Sequence, residues 1–246
     1  VDTTELLVVL LASFLGAFIK GVTGMGYPVV AVPLISLVLG VEDAVVIVAL
    51  PNFAANSFLC WEARDARAEA RDLPLFVGLG VVGAVLGTLV LVDAPEEPLQ
   101  IALALTVVAF VVLAVRQAEL RLSPATTRWW SAPVGFLAGL FQGAIGASGP
   151  VVGTWFHGYR LTPRGYVFTV TAVFGVTGLA QIVVLAGQGA FEADLLWASA
   201  LAGLAVLVAI PLGLRLRSRL ERTGFERAVL AALLISAVAL VIDVLA

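Results

Sequence analysis

The chain has 246 residues, of which 61% are hydrophobic and 13% charged, and its mean hydropathy is +1.08. Its 14 basic and 17 acidic side chains, net charge −3, are too few to cover a soluble globule of this size, where roughly 25% charged residues is usual. The balance also excludes a nucleic-acid-binding surface, and a single cysteine (Cys60) and a single histidine (His157) exclude an internal disulfide and a His-cluster metal site. What is left is a polytopic membrane protein.

The opening Val-Asp-Thr-Thr-Glu is acidic where a signal peptide is basic, so the first apolar stretch is expected to stay in the membrane. That stretch, residues 4–39, is interrupted by Lys20-Gly-Val-Thr-Gly-Met-Gly-Tyr-Pro28. An unbroken helix of its length would reach about 54 Å, too long for one crossing of a core about 30 Å thick. Spans follow at 43–61, 74–92 and 98–115. A polar linker at 119–126 separates them from a second interrupted stretch, 131–158, whose break reads Gln142-Gly-Ala-Ile-Gly-Ala-Ser-Gly-Pro150. Three more spans close the chain, at 164–186, 194–214 and 226–245.

The two breaks expose a repeat. In each, a polar residue (Lys20 or Gln142) is followed at once by glycine, by glycine again three residues later, and by proline eight residues after the polar residue. Residues 1–118 and 127–246 therefore read as two halves of one plan, each a broken re-entrant helical hairpin plus three transmembrane helices. Arginines at 64, 67 and 71, at 116, 121 and 128, and at 215, 217, 219 and 222 assign three loops to the cytoplasm. Tracing the chain from these loops makes the halves inverted and both termini extracytoplasmic. The expected setting is the cytoplasmic (inner) membrane of a cell. Trp61, Trp129, Trp130 and Trp197 fall at span ends, as an aromatic belt requires.

In inverted repeats with broken helices, the substrate site sits near the midplane, where half-helix N-termini attract anions. The first break offers Gly24 and Gly26, and the second Gly146, Ser148 and Gly149. Lys20 is the sole lysine, and no carboxylate lies mid-span to pair it. An ammonium inside a span costs about 2.5–3.5 kcal/mol, so a bound anion is its expected counterion. Gln142 holds the matching place with a neutral donor. Asn52 and Asn56 share one face of their span at i and i+4. Thr171, Thr177 and Gln181 make the polar side of span 164–186. These side chains either line the cavity or bond helix to helix.

Taken with the spans around them, Gly21-Val-Thr-Gly-Met-Gly-Tyr-Pro28 and Gly143-Ala-Ile-Gly-Ala-Ser-Gly-Pro150 give the chain its likeness to a known family. Over essentially its whole length it resembles the TauE/SafE exporters of sulfite and organosulfonates. The resemblance implies export of a small sulfur-containing anion such as sulfite or sulfoacetate, with no cofactor and no metal. It implies partners limited to that anion and the lipid bilayer, without nucleic acid; a homo-oligomer is left open. The expected substrate-binding set is Lys20, Gly24, Gly26, Asn52, Asn56, Gln142, Gly146, Ser148, Gly149 and Thr177. The alternative is an anion channel-like or structural membrane component. An intramembrane enzyme would need a nucleophile with its base, a metal pair or a carboxylate pair, and none of these patterns occurs.

Overall fold

In the computed structural model, residues 1–116 and 122–216 are described, together with Leu234, Val238 and Ile242. The described residues form nine α-helices and one short 3-10 helix. In chain order these are α1 (Thr3–Thr23), α2 (Tyr27–Leu39), α3 (Val41–Glu62), the 3-10 helix Arg64–Glu69, α4 (Leu73–Asp93), α5 (Glu96–Arg116), α6 (Pro124–Ile145), α7 (Gly149–His157), α8 (Pro163–Gly187) and α9 (Ala193–Leu216). Six of them, α1, α3, α4, α5, α8 and α9, are long and apolar enough to cross a membrane. The span expected at 226–245 lies outside the described residues.

Both breaks are real, and narrower than the sequence motif. Lys20 and Gln142 remain inside the last turns of α1 and α6. Gly24, at φ +90°, closes α1 by donating its N–H to the Lys20 carbonyl at 2.7 Å, and Gly26, at φ +111°, opens α2. Gly146, at φ +66°, closes α6 in the same way on the Gln142 carbonyl at 3.0 Å. A side chain at these left-handed positions would be strained, so glycine is what permits the turn. Pro28 and Pro150 then sit in the first turns of α2 and α7, where a missing N–H costs nothing. Because the first break begins only at Gly24, α1 keeps 21 residues, a full membrane length rather than a short arm.

The helices pack through glycine. Gly135, Gly139 and Gly143 of α6 lie against Phe76, Gly80 and Ala84 of α4, in numbers that rise together, so the two helices run parallel. On the other flank, Gly21 of α1 meets Ile210 and Gly213 of α9, and Gly213 meets Phe18 and Val22. Lipid gives apolar helices no hydrophobic reason to associate, so close backbone approach at small residues supplies the attraction. α3 and α8 pack on each other between these two flanks.

The two ends of the bundle differ in charge. At one, Val1 N lies 3.8 Å from Asp194, Glu96 accepts the Val41 N–H at 2.7 Å, and Asp43 is within electrostatic reach of Glu5, Glu96 and Glu192. The start of α1 and the start of α3 thus lie at one end, and α1–break–α2 leaves it and returns. At the other end, Arg164 bonds Asp65 at 2.8 Å and Glu62 at 3.2 Å, while Glu69 caps Thr162. Asp65 is held below its ordinary 3.8, first by the Arg164 hydrogen bond, which outweighs the opposing desolvation, and further by that cation's field. Trp61, Trp129, Trp130 and Trp197 are all exposed near these ends.

Candidate functional site

Between the two breaks lies a small cavity of about 10 Å³, room for about one water. Lys20 and Gly26 line it from the first break, with Pro28 and Val29 of α2. Gln142, Gly146, Ala147, Ser148 and Gly149 line it from the second, and Phe174 of α8 closes one side. The breaks touch: a Cβ on Gly149 would come within 3.0 Å of the Val29 side chain. The starts of α2 and α7 therefore meet at one cavity, and a helix start carries roughly half a positive charge.

Lys20 is 1% exposed. Its Nζ donates to Asn56 Oδ1 at 2.6 Å and to Asn52 Oδ1 at 3.0 Å. Asn56 Nδ2 in turn donates to Asn52 Oδ1 at 3.1 Å. The Phe174 ring centroid lies 5.9 Å from Nζ, within cation–π range. Among the described residues Lys20 forms no ion pair. Its place explains the local sequence: the last turn of α1 carries the ammonium, and α3 brings both asparagines to it from one face, about half-way along its length.

The second break answers with neutral groups. Ser148 donates to Gln142 Oε1 at 3.1 Å, and Gln142 Nε2 donates to Gln181 Oε1 at 3.3 Å. Gln181 Nε2 donates to the main-chain oxygens of Gln142 at 2.8 Å and Gly143 at 3.2 Å. These carbonyls belong to the last turn of α6; the Gln142 oxygen also accepts from the Gly146 N–H, and the Gly143 oxygen is one of the terminal carbonyls that the helix leaves to outside donors. Gln181 is therefore both a side-chain neighbour of the site and the cap that fixes the second break.

Of the expected site residues, Lys20, Gly26, Gln142, Gly146, Ser148 and Gly149 line the cavity. Asn52 and Asn56 stand behind it, bound to Lys20. Gly24 stands one step away, turning α1 against the Val167 side chain. Thr177 is placed elsewhere: its hydroxyl bonds its own helix at Val173 O, 2.8 Å, and its methyl faces Gly80 of α4. Phe174 was missed, because an aromatic in an apolar helix carries no signal of which neighbour it will face. Gln181 was legible as a polar residue in a span, without its capping role.

No group of three or more His, Cys, Asp or Glu able to hold a metal occurs among the described residues. What the arrangement offers chemically is charge and hydrogen-bond donors for an anion. No match was found among curated proteins or among solved structures. A family model, sulfite exporter TauE/SafE, matches residues 9–240, nearly the whole chain and both breaks. With its six potential membrane spans, the chain belongs to the TauE/SafE sulfite exporter family, a family of membrane transporters and not of enzymes.

Proposed function

We propose that the protein carries a small sulfur oxyanion, sulfite or an organosulfonate, outward across the cytoplasmic membrane by alternating access around the cavity between the breaks. The observation that carries the reading is Lys20: the chain's one lysine, 1% exposed, at the meeting point of two helix starts, with no carboxylate beside it among the described residues. An ammonium has three N–H groups. Two go to Asn52 and Asn56, and the third is left for the cavity. Gln142 faces it with a neutral Nε2 group, one of whose two N–H groups goes to Gln181, and Ser148 orients that amide by donating to its oxygen.

The cavity of about 10 Å³ is smaller than any such anion, as suits a closed carrier; a pore would need a continuous path. Parallel α4–α6 packing, repeated at Gly21 and Gly213 on the opposite flank, supports two halves of one plan. Each half places its first helix against the fourth of the other. The Arg164 end, rich in arginine, is the cytoplasmic one by the positive-inside rule, and the acidic end with Val1 is external. On that orientation an inside-negative potential drives an anion outward by about 2.3 kcal/mol per charge per 100 mV.

The test is sulfite binding to the purified protein by titration calorimetry. Charge-assisted hydrogen bonds contribute about 1.5–3 kcal/mol, so Lys20→Gln should weaken binding roughly 10- to 150-fold. Wild-type affinity in a folded Lys20→Gln protein would overturn the reading.

A further inference from the structure

We infer that Asn52 and Asn56 are positioning residues that form a charge-neutral seat for Lys20, holding its ammonium ionised inside the membrane while leaving its positive charge unspent for the transported anion. The inference deepens the proposed function and rests on it. A buried lysine is ordinarily met by a carboxylate, which satisfies its donors and also cancels its charge. Here the donors are satisfied and the charge is not cancelled. Both acceptors, at 2.6 and 3.0 Å, are amide oxygens, which carry a dipole but no net charge. The Asn56 Nδ2 bond to Asn52 Oδ1, 3.1 Å, locks the pair so that both oxygens face Nζ.

Helix geometry and packing hold the seat rigid. Asn52 and Asn56 are one turn apart on α3, and both are buried. The Asn56 Cβ lies against Gly175 of α8, close enough that a Cβ there would meet it at 4.0 Å. The remaining neighbour of the ammonium, Phe174, is likewise non-neutralising, since a ring face offers a quadrupole and no charge. Among the described residues no acidic side chain lines the cavity. Every contact around Lys20 thus stabilises a cation without pairing it.

The experiment compares Asn56→Asp with Asn56→Ser in the full-length purified protein, reading sulfite affinity by calorimetry and thermal unfolding without sulfite. Aspartate keeps the shape and the oxygen that accepts from Lys20, gives up the Nδ2 donor to Asn52, and adds one negative charge; serine gives up the same amide donor and is smaller but neutral. The seat predicts that Asn56→Asp melts no lower than wild type yet binds sulfite at least about tenfold more weakly, the loss of one charge-assisted interaction. It predicts that Asn56→Ser loses less affinity than Asn56→Asp despite lower stability. A purely structural pair predicts the reverse order, because the isosteric aspartate preserves packing and the serine does not. Asn52→Asp, one turn away, carries the same expectation and decides the matter if Asn56→Asp does not fold. Affinity retained in the aspartate variants while Lys20→Gln loses it would overturn the neutral seat and leave the anion site standing. Affinity retained in Lys20→Gln as well would overturn the anion site itself.

Discussion

Gly139→Ala tests whether the glycine seam between α4 and α6 places the second break. A methyl on Gly139 would overlap the Gly80 carbonyl oxygen, and it would stand 2.7 Å from the Gly80 carbonyl carbon and 2.8 Å from the Ala84 nitrogen. Ordinary contact begins at 3.4 Å, and every atom in the way is main chain, which no rotamer change can move. The helices must separate, and overpacking of this kind costs about 1–3 kcal/mol. Gly78→Ala, on another face of the same α4, is the control, with nothing within 4 Å of its would-be Cβ. Replacing a mid-helix glycine there should stabilise by about 0.5–1 kcal/mol. The two single-methyl variants should therefore differ by about 1.5–4 kcal/mol in opposite directions from wild type. Tryptophan-detected thermal unfolding in detergent measures this, at about 2–4 °C per kcal/mol for a chain of this length. Gly139 is also one turn from Gln142, so sulfite binding should weaken with the seam. A Gly139→Ala protein that melts at or above the Gly78→Ala protein would refute parallel α4–α6 packing at this register.

Three further outcomes follow from named contacts. Lys20→Arg should keep part of the affinity that Lys20→Gln loses in the same titration, since charge survives while geometry changes; equal loss in both would mean that shape alone recognises the anion. Gln181→Leu removes the side-chain donor from the Gly143 carbonyl, while the Gln142 carbonyl keeps the Gly146 N–H, and a buried unsatisfied acceptor costs about 1–3 kcal/mol; unchanged thermal unfolding would show that the cap is dispensable. Asp65→Asn loosens the hold of the 3-10 helix on Arg164. The Asp65 carboxyl is depressed in the folded protein, so its contribution is present above the ordinary 3.8 and disappears as pH falls through the lowered folded value. The melting gap between wild type and Asp65→Asn should close over that acid range, and a gap that stays constant below it would contradict the assignment.

The breaks and their flanking polar residues were legible because glycine and proline act locally: a left-handed turn at Gly24 or Gly146 needs no knowledge of the rest of the molecule. The depth of each break was less so. Lys20 and Gln142 sit within the helices that precede the turns, because the three residues Gly-Val-Thr or Gly-Ala-Ile continue a helix readily once neighbouring helices bury them. Asn52 and Asn56 were readable as one polar face, but not as the partners of Lys20, since thirty-odd residues separate them in the chain and only the approach of α1 to α3 joins them. Thr177 shows a different limit. A threonine in an apolar helix looks like a cavity residue, yet its hydroxyl is satisfied four residues back in its own helix, so it needs no cavity at all.

On the proposed reading, two halves of one plan do not impose a symmetric site. The first half answers its break with an ammonium on two asparagines, the second with a glutamine held by another glutamine and a serine. With the starts of α2 and α7 each adding roughly half a charge, the cavity presents about two positive charges in total, only one of them a full side-chain charge. On the proposed reading this asymmetry has a mechanical use. A carrier must bind its anion firmly enough to load and loosely enough to unload. A second lysine in place of Gln142 would hold the anion more tightly and leave two like charges facing each other whenever the site was empty. A carboxylate in place of Asn56 would do the reverse, filling the site with an internal ion pair. One cation on a neutral seat lies between these extremes, and it lets the same buried site pass through loaded and empty states without an unpaired second charge.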